Sequence, residues 1–367
     1  MNEDLMGVFE TWPKSSVVAI ESLLPAYSGR NVLVTGGASF IGSHLVEALL
    51  EMQCVVMVVD DFSSGKRSNL PTNNSKLNIH GLDLSAGSDI SPYFRDQEIV
   101  FHLAAVHGGR GFIEKYPQKI LKNLILDQNV FEAAINADVK RIVHASSACS
   151  YPINLQDNTN NSLLLSEKNL GSMNSLGCQP DGTYGWTKLI GEYQLEQLVA
   201  GTSTSGRSAR IFTAYGEREN ESHAAIALIA KALLKMDPFV VWGSGHQTRN
   251  FTYVTDTVRG LLHLGADDRS IPFDVLNIGT SEHISVNSFI ETIFKILNWQ
   301  PMEIFADTTK PQGVASRASD NSYLKKTFNW EPMVSVEEGL RRTIDWYSRL
   351  ESRPLSIDAL DQELESR

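Results

Sequence analysis

The sequence is poor in the features that mark secreted, membrane-spanning and metal-binding proteins. Its three cysteines, Cys54, Cys149 and Cys178, are too widely spaced for a disulfide framework or a zinc pattern. No run approaches the roughly 20 consecutive apolar residues of a membrane-spanning helix. Acidic residues stand near the N-terminus, where a secretory signal has basic ones. These absences predict a cytoplasmic protein with reduced thiols and no metal site.

Positive charge is also scarce, with 32 Lys and Arg against 43 Asp and Glu, for a formal net charge of −11. This balance argues against a general binder of nucleic acid or of membrane surfaces. An anionic small molecule would have to be held by a few arginines brought together locally. The apolar content of 42% is that of an ordered globular protein, and 367 residues suggest two domains.

Short apolar segments alternate with helical ones through the first half of the chain. This alternation predicts an α/β protein with a doubly wound, mostly parallel sheet of the Rossmann type, joined to a smaller, discontinuous C-terminal α/β lobe. We predict strands at 31–35, 54–60, 77–82, 99–105, 141–145 and 209–214, and helices at 43–52, 121–136 and 184–199. The predicted divisions are an N-terminal extension (1–29), the Rossmann domain (30–215 and 251–280), the smaller lobe (216–250 and 281–350) and a polar, frayed tail (351–367).

A glycine-rich turn joins the first predicted strand to the first predicted helix, in the segment VTGGASFIG that ends at Gly42. Glycines there allow a tight turn and close helix packing, and the helix N-terminus attracts a pyrophosphate. Asp60 ends the second strand, where a carboxylate can bond both ribose hydroxyls of NAD and repels the 2′-phosphate of NADP. The segment therefore predicts an NAD site.

Tyr184 and Lys188 stand four residues apart and so share one helix face. A lysine ammonium beside the tyrosine, together with a positive nicotinamide ring, would favour the phenolate. Ser147, near the end of the fifth strand, can hydrogen-bond the same substrate oxygen. The three residues predict the proton-transfer group of a hydride-transfer site.

These motifs resemble those of the extended short-chain dehydrogenase/reductases that act on nucleotide sugars. The family turn reads TGxxGxxG, and this sequence has Ser39 at the middle glycine; Ser147, Tyr184 and Lys188 match the family's triad. The resemblance implies NAD contacts from residues at the ends of the first strands and from the triad helix: Gly36, Ser39, Phe40, Ile41, Gly42, Asp60, Phe62, Asp83, Leu84, Leu103, Ala104, Ala105, Asn123, Tyr184 and Lys188.

Two further residues could act on a sugar ring once a ketone has formed. Cys149 follows Ser147 by two residues, and His223 begins an apolar helix. A C4 ketone acidifies the hydrogens on C3 and C5, which a thiolate and an imidazole could remove and return. The string SSACSYP resembles the active-site strand of GDP-mannose 3,5-epimerases and GDP-fucose synthases, whereas His223 resembles the synthases alone, because the epimerases have lysine there.

The resemblance runs from about residue 30 to 350 and also implies a substrate site. AAVHGGRGF resembles a glycine-rich loop beside the sugar and includes Gly109 and Arg110, and the alignment makes Arg249 and Arg317 a clamp for the substrate diphosphate. Thr213 replaces a usual asparagine, and the loop at 217–221 is shortened. Both departures touch the sugar, so the hexose and the nucleobase stay open, with a GDP-sugar favoured.

The resemblance implies an NAD-dependent epimerase that acts at C3, at C5 or at both, with homodimers packed through the long helices of the Rossmann domain. A C4 epimerase, a dehydratase and a ketoreductase of the same family are alternatives, although Ala148 and Cys149 stand where a usual 4,6-dehydratase has an Asp-Glu pair. A catalytically silent NAD-binding regulator is a further alternative, against which the complete triad counts.

Overall fold

The computed structural model describes residues 12–157, 162–170 and 178–366. Within these residues the strands are β1 (Asn31–Thr35), β2 (Val55–Asp60), β3 (Leu77–Gly81), β4 (Ile99–His102), β5 (Arg141–Ser147), β6 (Ser205–Ile211), β7 (Ala214–Tyr215), β8 (Phe239–Trp242), β9 (Thr248–Arg249), β10 (Thr252–Tyr253), β11 (Phe273–Ile278), β12 (Ile284–Ser285) and β13 (Ile304–Asp307).

The helices of the same residues flank these strands. They are α1 (Lys14–Glu21), α2 (Leu24–Tyr27), α3 (Phe40–Glu51), α4 (Arg110–Lys115), α5 (Pro117–Ile120), α6 (Lys122–Asn136), α7 (Gly182–Val199), α8 (Ala224–Leu233), α9 (Val254–Gly265), α10 (Val286–Leu297), α11 (Ser322–Phe328), α12 (Val336–Arg349) and α13 (Ile357–Ser366). None of them, within the described ranges, is long and apolar enough to cross a membrane.

Seven parallel strands form the central sheet in the order β11-β6-β5-β4-β1-β2-β3. The predicted doubly wound Rossmann sheet is therefore confirmed. Strand order reverses between β1 and β4, and in such sheets ligands bind outside the carboxyl ends of the strands at this switch point. The turn after β1 and the segment after β4 both lie there. The topology thus places the glycine-rich turn at the ligand-binding edge.

The segments 216–250 and 281–350 supply strands and helices that pair with one another. β8 pairs with β13 in parallel, and β9 pairs with β12 in the antiparallel direction. Helices α8, α10 and α12 pack together, and apolar residues such as Phe289 and Leu340 are fully buried in the same core. This group lies beside the carboxyl edge of the central sheet because β7 and β10 join it to β6 and α9.

The predicted strand at 209–214 is two strands in the structure. β6 ends at Ile211 in the central sheet, and β7 then pairs with β10, where Ala214 lies opposite Thr252. The chain leaves the central sheet at Phe212 and Thr213, which an apolar run does not reveal. The break matters for function because it aims Thr213 at the cavities described below.

The described parts of both terminal regions contain helices that pack on the rest of the protein. In the N-terminal extension α1 packs on α9, with Ser16 Oγ 3.2 Å from Thr255 Oγ1, and Tyr27 donates to the Leu262 carbonyl at 2.6 Å. The tail predicted to fray instead contains α13, which contacts α8. Burial of Leu360 supplies the apolar anchor that a mostly polar sequence conceals.

Candidate active site

The turn between β1 and α3 requires its glycines. Gly36 has φ +69°, and a Cβ there would lie 2.7 Å from the Ala104 amide nitrogen. A Cβ on Gly42 would collide with the Gly36 carbonyl oxygen, so Gly42 lets α3 pack onto the turn. Ser39 donates its hydroxyl to the Gly36 carbonyl at 2.5 Å. The serine that replaces the family's middle glycine therefore adds a hydrogen bond within the turn.

Asp60 lies at the carboxyl end of β2 and lines a cavity of about 380 Å³, here called the first cavity. Its carboxylate accepts the backbone N–H groups of Ala38 at 2.9 Å and Phe62 at 2.8 Å, one on each oxygen. Burial raises the pKa of Asp60, and these two hydrogen bonds oppose that rise. The predicted cofactor residues that line this cavity are Gly36, Ser39, Asp60, Asp83, Leu84, Leu103, Ala104 and Ala105.

A second cavity, of about 640 Å³, lies beyond the turn and is here called the central cavity. Ser147, Tyr184 and Lys188 all line it, together with Phe40 and Ile41 from the start of α3. Lys188 Nζ lies 5.8 Å from the centre of the Tyr184 ring. The fold therefore brings the predicted triad into one space that opens beside the glycine-rich turn.

Charges buried beneath the triad act on Lys188. Burial lowers the pKa of Lys188, and the carboxylates of Asp127 and Glu192 raise it, with burial dominating. Asp127 is itself fully buried and accepts a hydrogen bond from His102 Nε2 at 3.0 Å if that nitrogen carries the proton. Asp127 thus supplies negative charge below Lys188, a role that its place in α6 did not indicate.

Tyr184 differs from the sequence-based expectation of a favoured phenolate. Burial raises its pKa, and the nearby Cys149 and Asp127 raise it further. These contributions favour a neutral phenol within the polypeptide, and the positive charge of the nicotinamide ring would favour the phenolate.

Cys149 lies in a short 3₁₀ turn after β5 and lines a third cavity, of about 350 Å³, here called the outer cavity. Its backbone N–H donates to Ser147 Oγ at 3.1 Å. Arg317 donates from Nη1 to Cys149 Sγ at 3.3 Å. The sulfur therefore lies directly against a positively charged side chain. Of the three cysteines, Cys149 alone lies against an arginine at a cavity wall.

His223 faces both the central and the outer cavity. It is the N-cap residue of α8, yet its side chain makes no capping hydrogen bond. Its Nδ1 lies 3.2 Å from Glu219 Oε1, and its ring stacks on His107 with centres 5.7 Å apart and planes 11° apart. The imidazole is therefore held at the site instead of being used to cap the helix.

The outer cavity carries more positive than negative charge. Arg110 and Arg317 both bind Asp181, at 2.7 and 2.9 Å, and Arg317 also donates to Gln156 at 2.6 Å. Arg249 donates only to the carbonyl oxygens of Thr248 and Gln312 among the described residues. Burial lowers the pKa of Arg249 to about 9, and Arg317 lowers it too. An anionic group bound in the outer cavity would balance this excess of positive charge.

Three residues predicted to contact NAD serve the scaffold in the structure. Gly42 packs α3 onto the turn, and the Phe62 ring faces Gly81. Asn123 is fully buried and uses its amide on Val106, accepting at 2.7 Å and donating at 3.0 Å. None of the three lines the first or the central cavity. Asn123 instead holds the segment after β4 in place.

Several residues that line the cavities were not predicted from the sequence. Lys231 is buried in α8, donates to the Val240 carbonyl at 2.9 Å and lines the outer cavity. A lysine within an apolar helix was the signal that could have revealed it. Asp181 and Glu219 gave no such signal, because acidic residues in polar loops are common. Gly109, by contrast, was predicted, and a Cβ there would collide with the Ser222 carbonyl oxygen.

Comparison with known proteins identifies the family. Residues 32–279 match the NAD dependent epimerase/dehydratase family, which is more than half of the chain. This chain belongs to that family. It is an enzyme of the epimerase class with NAD as its cofactor, and the Gly36 turn and the Asp60 carboxylate fit a dinucleotide.

The relatives within this family catalyse different reactions, as their names show. GDP-mannose 3,5-epimerase 1 of Oryza sativa subsp. indica is 31% identical over 321 residues, which cover 86% of this chain and 81% of that protein. UDP-N-acetyl-alpha-D-glucosaminuronate decarboxylase of Bacillus cytotoxicus is 28% identical over 338 residues, which cover 88% and 99%. The chain is thus similar to enzymes of more than one reaction type.

Solved structures agree with this assignment. UDP-glucose 4-epimerase of Thermotoga maritima, solved with UDP-glucose, matches with a TM-score of 0.75 and 26% identity over 87% of this chain and 99% of that chain. UDP-glucuronic acid 4-epimerase of Bacillus cereus, solved with UDP-glucuronic acid and NAD, has a TM-score of 0.75 and 29% identity over 86% and 98%.

Proposed function

We propose that this enzyme epimerises a nucleotide-diphosphate sugar at C3, at C5 or at both, after transient oxidation at C4. The observation that carries the proposal is that Cys149 and His223 both border the outer cavity, next to the triad in the central cavity. A plain hydride-transfer enzyme needs no thiol and imidazole at the ring. Their presence beside the triad supports chemistry at a second ring carbon.

In this scheme the triad acts first and last. Tyr184 accepts the C4 hydroxyl proton, Ser147 holds the same oxygen, and Lys188 orients the tyrosine and contributes positive charge. Bound NAD supplies a hydride acceptor that also returns the hydride. When the hydride returns to C4 after the ring has been inverted, the C4 oxygen takes back the proton that Tyr184 accepted in the first step.

The ketone at C4 acidifies the neighbouring C–H bonds, and Cys149 and His223 would then exchange protons with them. Arg317 lies against Cys149 Sγ, so the positive charge of its guanidinium faces the sulfur that would take a proton from the ring. His223 would deliver a proton from the other side of the ring. A well-placed acid or base contributes roughly 10²–10⁴-fold to such a step.

The arginines of the outer cavity support a diphosphate substrate. Arg249 has no carboxylate partner among the described residues and faces Arg317, so phosphate oxygens would meet a site with surplus positive charge. Arg110 and Arg317 share Asp181 and would set the position of the cavity wall. The proposed substrate is a GDP-sugar, held by the smaller lobe through Arg249 and Arg317 with Gly109 and Arg110 beside the sugar.

We propose in addition a homodimer packed through α6 and α7. Large apolar side chains on and next to these helices are exposed: Leu121 just before α6, Ile125 on α6, and Trp186 and Tyr193 on α7. The two helices pack against each other. Burying them against a second copy would remove this apolar area from water.

A UDP-sugar C4-epimerase is the second candidate. It is favoured by the similar solved structures, which include UDP-glucose 4-epimerase and UDP-glucuronic acid 4-epimerase. In that reaction Ser147, Tyr184 and Lys188 suffice, and Cys149 and His223 would leave the ring hydrogens untouched. The two candidates therefore differ in what happens at C3 and C5.

Turnover in D₂O separates them. Purified enzyme is incubated with a panel of GDP-, UDP-, ADP- and dTDP-sugars, and products are analysed by NMR and mass spectrometry. A 3- or 5-epimerase places solvent deuterium on the ring, because Cys149 and His223 exchange protons with solvent. Conversion of a substrate at C4 with no ring deuterium would refute the proposal in favour of the C4-epimerase.

Variants at the two proposed bases refine this test. Cys149→Ala should abolish ring deuteration yet still oxidise C4, visible as cofactor reduction, because the triad is intact. His223→Ala should leave some exchange but little inverted product, because a proton can be removed yet not delivered. Cys178→Ala, at a cysteine outside the three cavities, is the matched control and should behave like the wild type.

A further inference from the structure

His223 is surrounded by residues whose arrangement suggests more than packing. Glu219 lies four residues before His223, in the loop after β7. Its carboxylate is buried, with a side-chain exposure of 5%. Burial raises the pKa of Glu219, and His223 opposes that rise. A buried carboxylate is costly unless a donor meets it. The Gly216 backbone is one such donor, and the closest side-chain nitrogen given for it is His223 Nδ1, 3.2 Å from Oε1.

The contact between Glu219 and His223 is close but not aligned as a hydrogen bond. Neither His223 Nδ1 nor Glu219 Oε2 has a hydrogen-bond partner among the described residues. Catalytic hydrogen bonds are often loose before substrate binds and tighten in the complex. With Nδ1 directed at Glu219, the opposite ring nitrogen, Nε2, is left for the cavities that His223 lines.

His107 packs its ring against the face of the His223 imidazole. It lies in the glycine-rich loop after β4, and its ring stacks nearly parallel to His223 at 5.7 Å. Burial lowers the pKa of His107 to about 3, as do the charges of His223 and Lys188, so His107 stays neutral near pH 7. A neutral flat ring in this position restricts the plane of His223 without competing for its proton.

The loop that carries His107 is itself fixed against the His223 loop. Gly109 packs so tightly on the Ser222 carbonyl that no side chain fits there. Asn123 holds the same loop at Val106 through both atoms of its amide. These contacts hold the two loops against each other. The stacking of the His107 ring on the His223 ring lies within this contact.

We propose that Glu219 and His107 are positioning residues for His223: Glu219 holds one proton on Nδ1, so that the second, exchangeable proton is taken up and delivered at Nε2, which faces the sugar, and His107 fixes the ring plane. The proposal rests on the proposed epimerase function for its catalytic consequence. Its structural part, the position of the proton on His223, stands apart from that function. Neither residue was singled out by the sequence.

The proton position is measured directly on the full chain. Protein labelled with ¹⁵N-histidine is examined by NMR near neutral pH, and the His223 signals are assigned by their loss in His223→Gln. The proposal expects the neutral ring to carry its proton on Nδ1 in the wild type. A wild-type ring protonated on Nε2 overturns the proposal, whatever the enzyme's reaction is found to be.

Variants then connect the tautomer to turnover. Glu219→Ala should shift the proton toward Nε2 and lower kcat at least about tenfold, by no more than His223→Ala does, with KM nearly unchanged. His107→Phe, which keeps a flat ring, should retain more activity than His107→Ala. Glu167→Gln changes a partly buried carboxylate that accepts the Asn277 N–H at 2.8 Å and lines none of the three cavities, and it is the matched control.

The outcomes separate the two proposals. Absence of ring deuterium in the wild type, with the substrate known, refutes the epimerase function but leaves the NMR result to decide the role of Glu219. Ring deuterium with an unchanged kcat and an unchanged His223 tautomer in Glu219→Ala refutes the positioning role alone. Melting temperature and NAD content are measured for every variant, and the wild-type tautomer is decisive if a variant does not fold.

Discussion

Replacing Arg249 with alanine should weaken substrate binding while sparing the hydride-transfer machinery. Arg249 lies in β9, lines the outer cavity and donates to two backbone carbonyl oxygens, at 2.7 and 3.1 Å. Burial and the neighbouring Arg317 lower its pKa to about 9, and Asp181 only partly opposes this, while no carboxylate among the described residues accepts a hydrogen bond from Arg249. A diphosphate would supply a counter-charge.

The expected size follows from the kind of contact that is lost. A hydrogen bond to a charged group contributes about 1.5–3 kcal/mol. At about 1.4 kcal/mol for each factor of ten, this corresponds to a Kd that is weaker by roughly 10- to 150-fold. The free energy of unfolding should change less, because losing a buried, unbalanced charge offsets the loss of a donor to Thr248 and Gln312.

Calorimetric titration checks the magnitude and the location of the contact. Wild type and Arg249→Ala are titrated with a nucleoside diphosphate and with the bare nucleoside, and kcat and KM are measured with the sugar substrate. The advantage of the diphosphate over the nucleoside should shrink in the variant. Arg341→Ala removes an exposed arginine paired with Glu337 on α12 and is the control.

Two results would refute the reasoning about Arg249. Equal losses of affinity for the nucleoside and the diphosphate would place the arginine at the base or the ribose. A loss confined to kcat would mean that the side chain acts on the reacting sugar and does not clamp the phosphates.

Three further predictions address the cofactor, the triad and the outer cavity. Protein that is purified and denatured should release NAD, and Asp60→Ala should reduce the preference for NAD over NADP in binding assays; NADP as the main released species would contradict the role of Asp60. Tyr184→Phe should abolish turnover with little change in NAD content, because one proton-carrying oxygen is lost; substantial remaining activity would show that the triad is misassigned. Burial lowers the pKa of Lys231 to about 8, so between that value and about 10.4 the unfolded chain binds a proton that the folded one lacks, and stability should rise with pH. Denaturant unfolding should show this rise as about 2 kcal/mol at pH 9.5 relative to pH 7, and Lys231→Met should lack it; parallel curves for both proteins would exclude the effect.

The elements that local rules describe well were predictable. Alternating strands and helices indicated the parallel sheet, and the glycine turn and Asp60 indicated the NAD site, because each depends on residues close in sequence. Tyr184 and Lys188 share a helix face for the same reason. Boundaries were less predictable: β6 ends at Ile211 because the next strand pairs with β10, a partner some forty residues away along the chain.

The sequence by itself determined the fold class and the cofactor, since backbone periodicity and glycine geometry are local properties, and its motifs predicted the triad. Only the tertiary structure decided which side chains surround Cys149 and His223. Arg317 reaches the thiol from 168 residues away, and Asp181 joins Arg317 to Arg110 across 136 and 71 residues. Charge balance and burial depend on such distant neighbours, which is why the raised pKa of Tyr184 and the surroundings of His223 could not be predicted from the motifs.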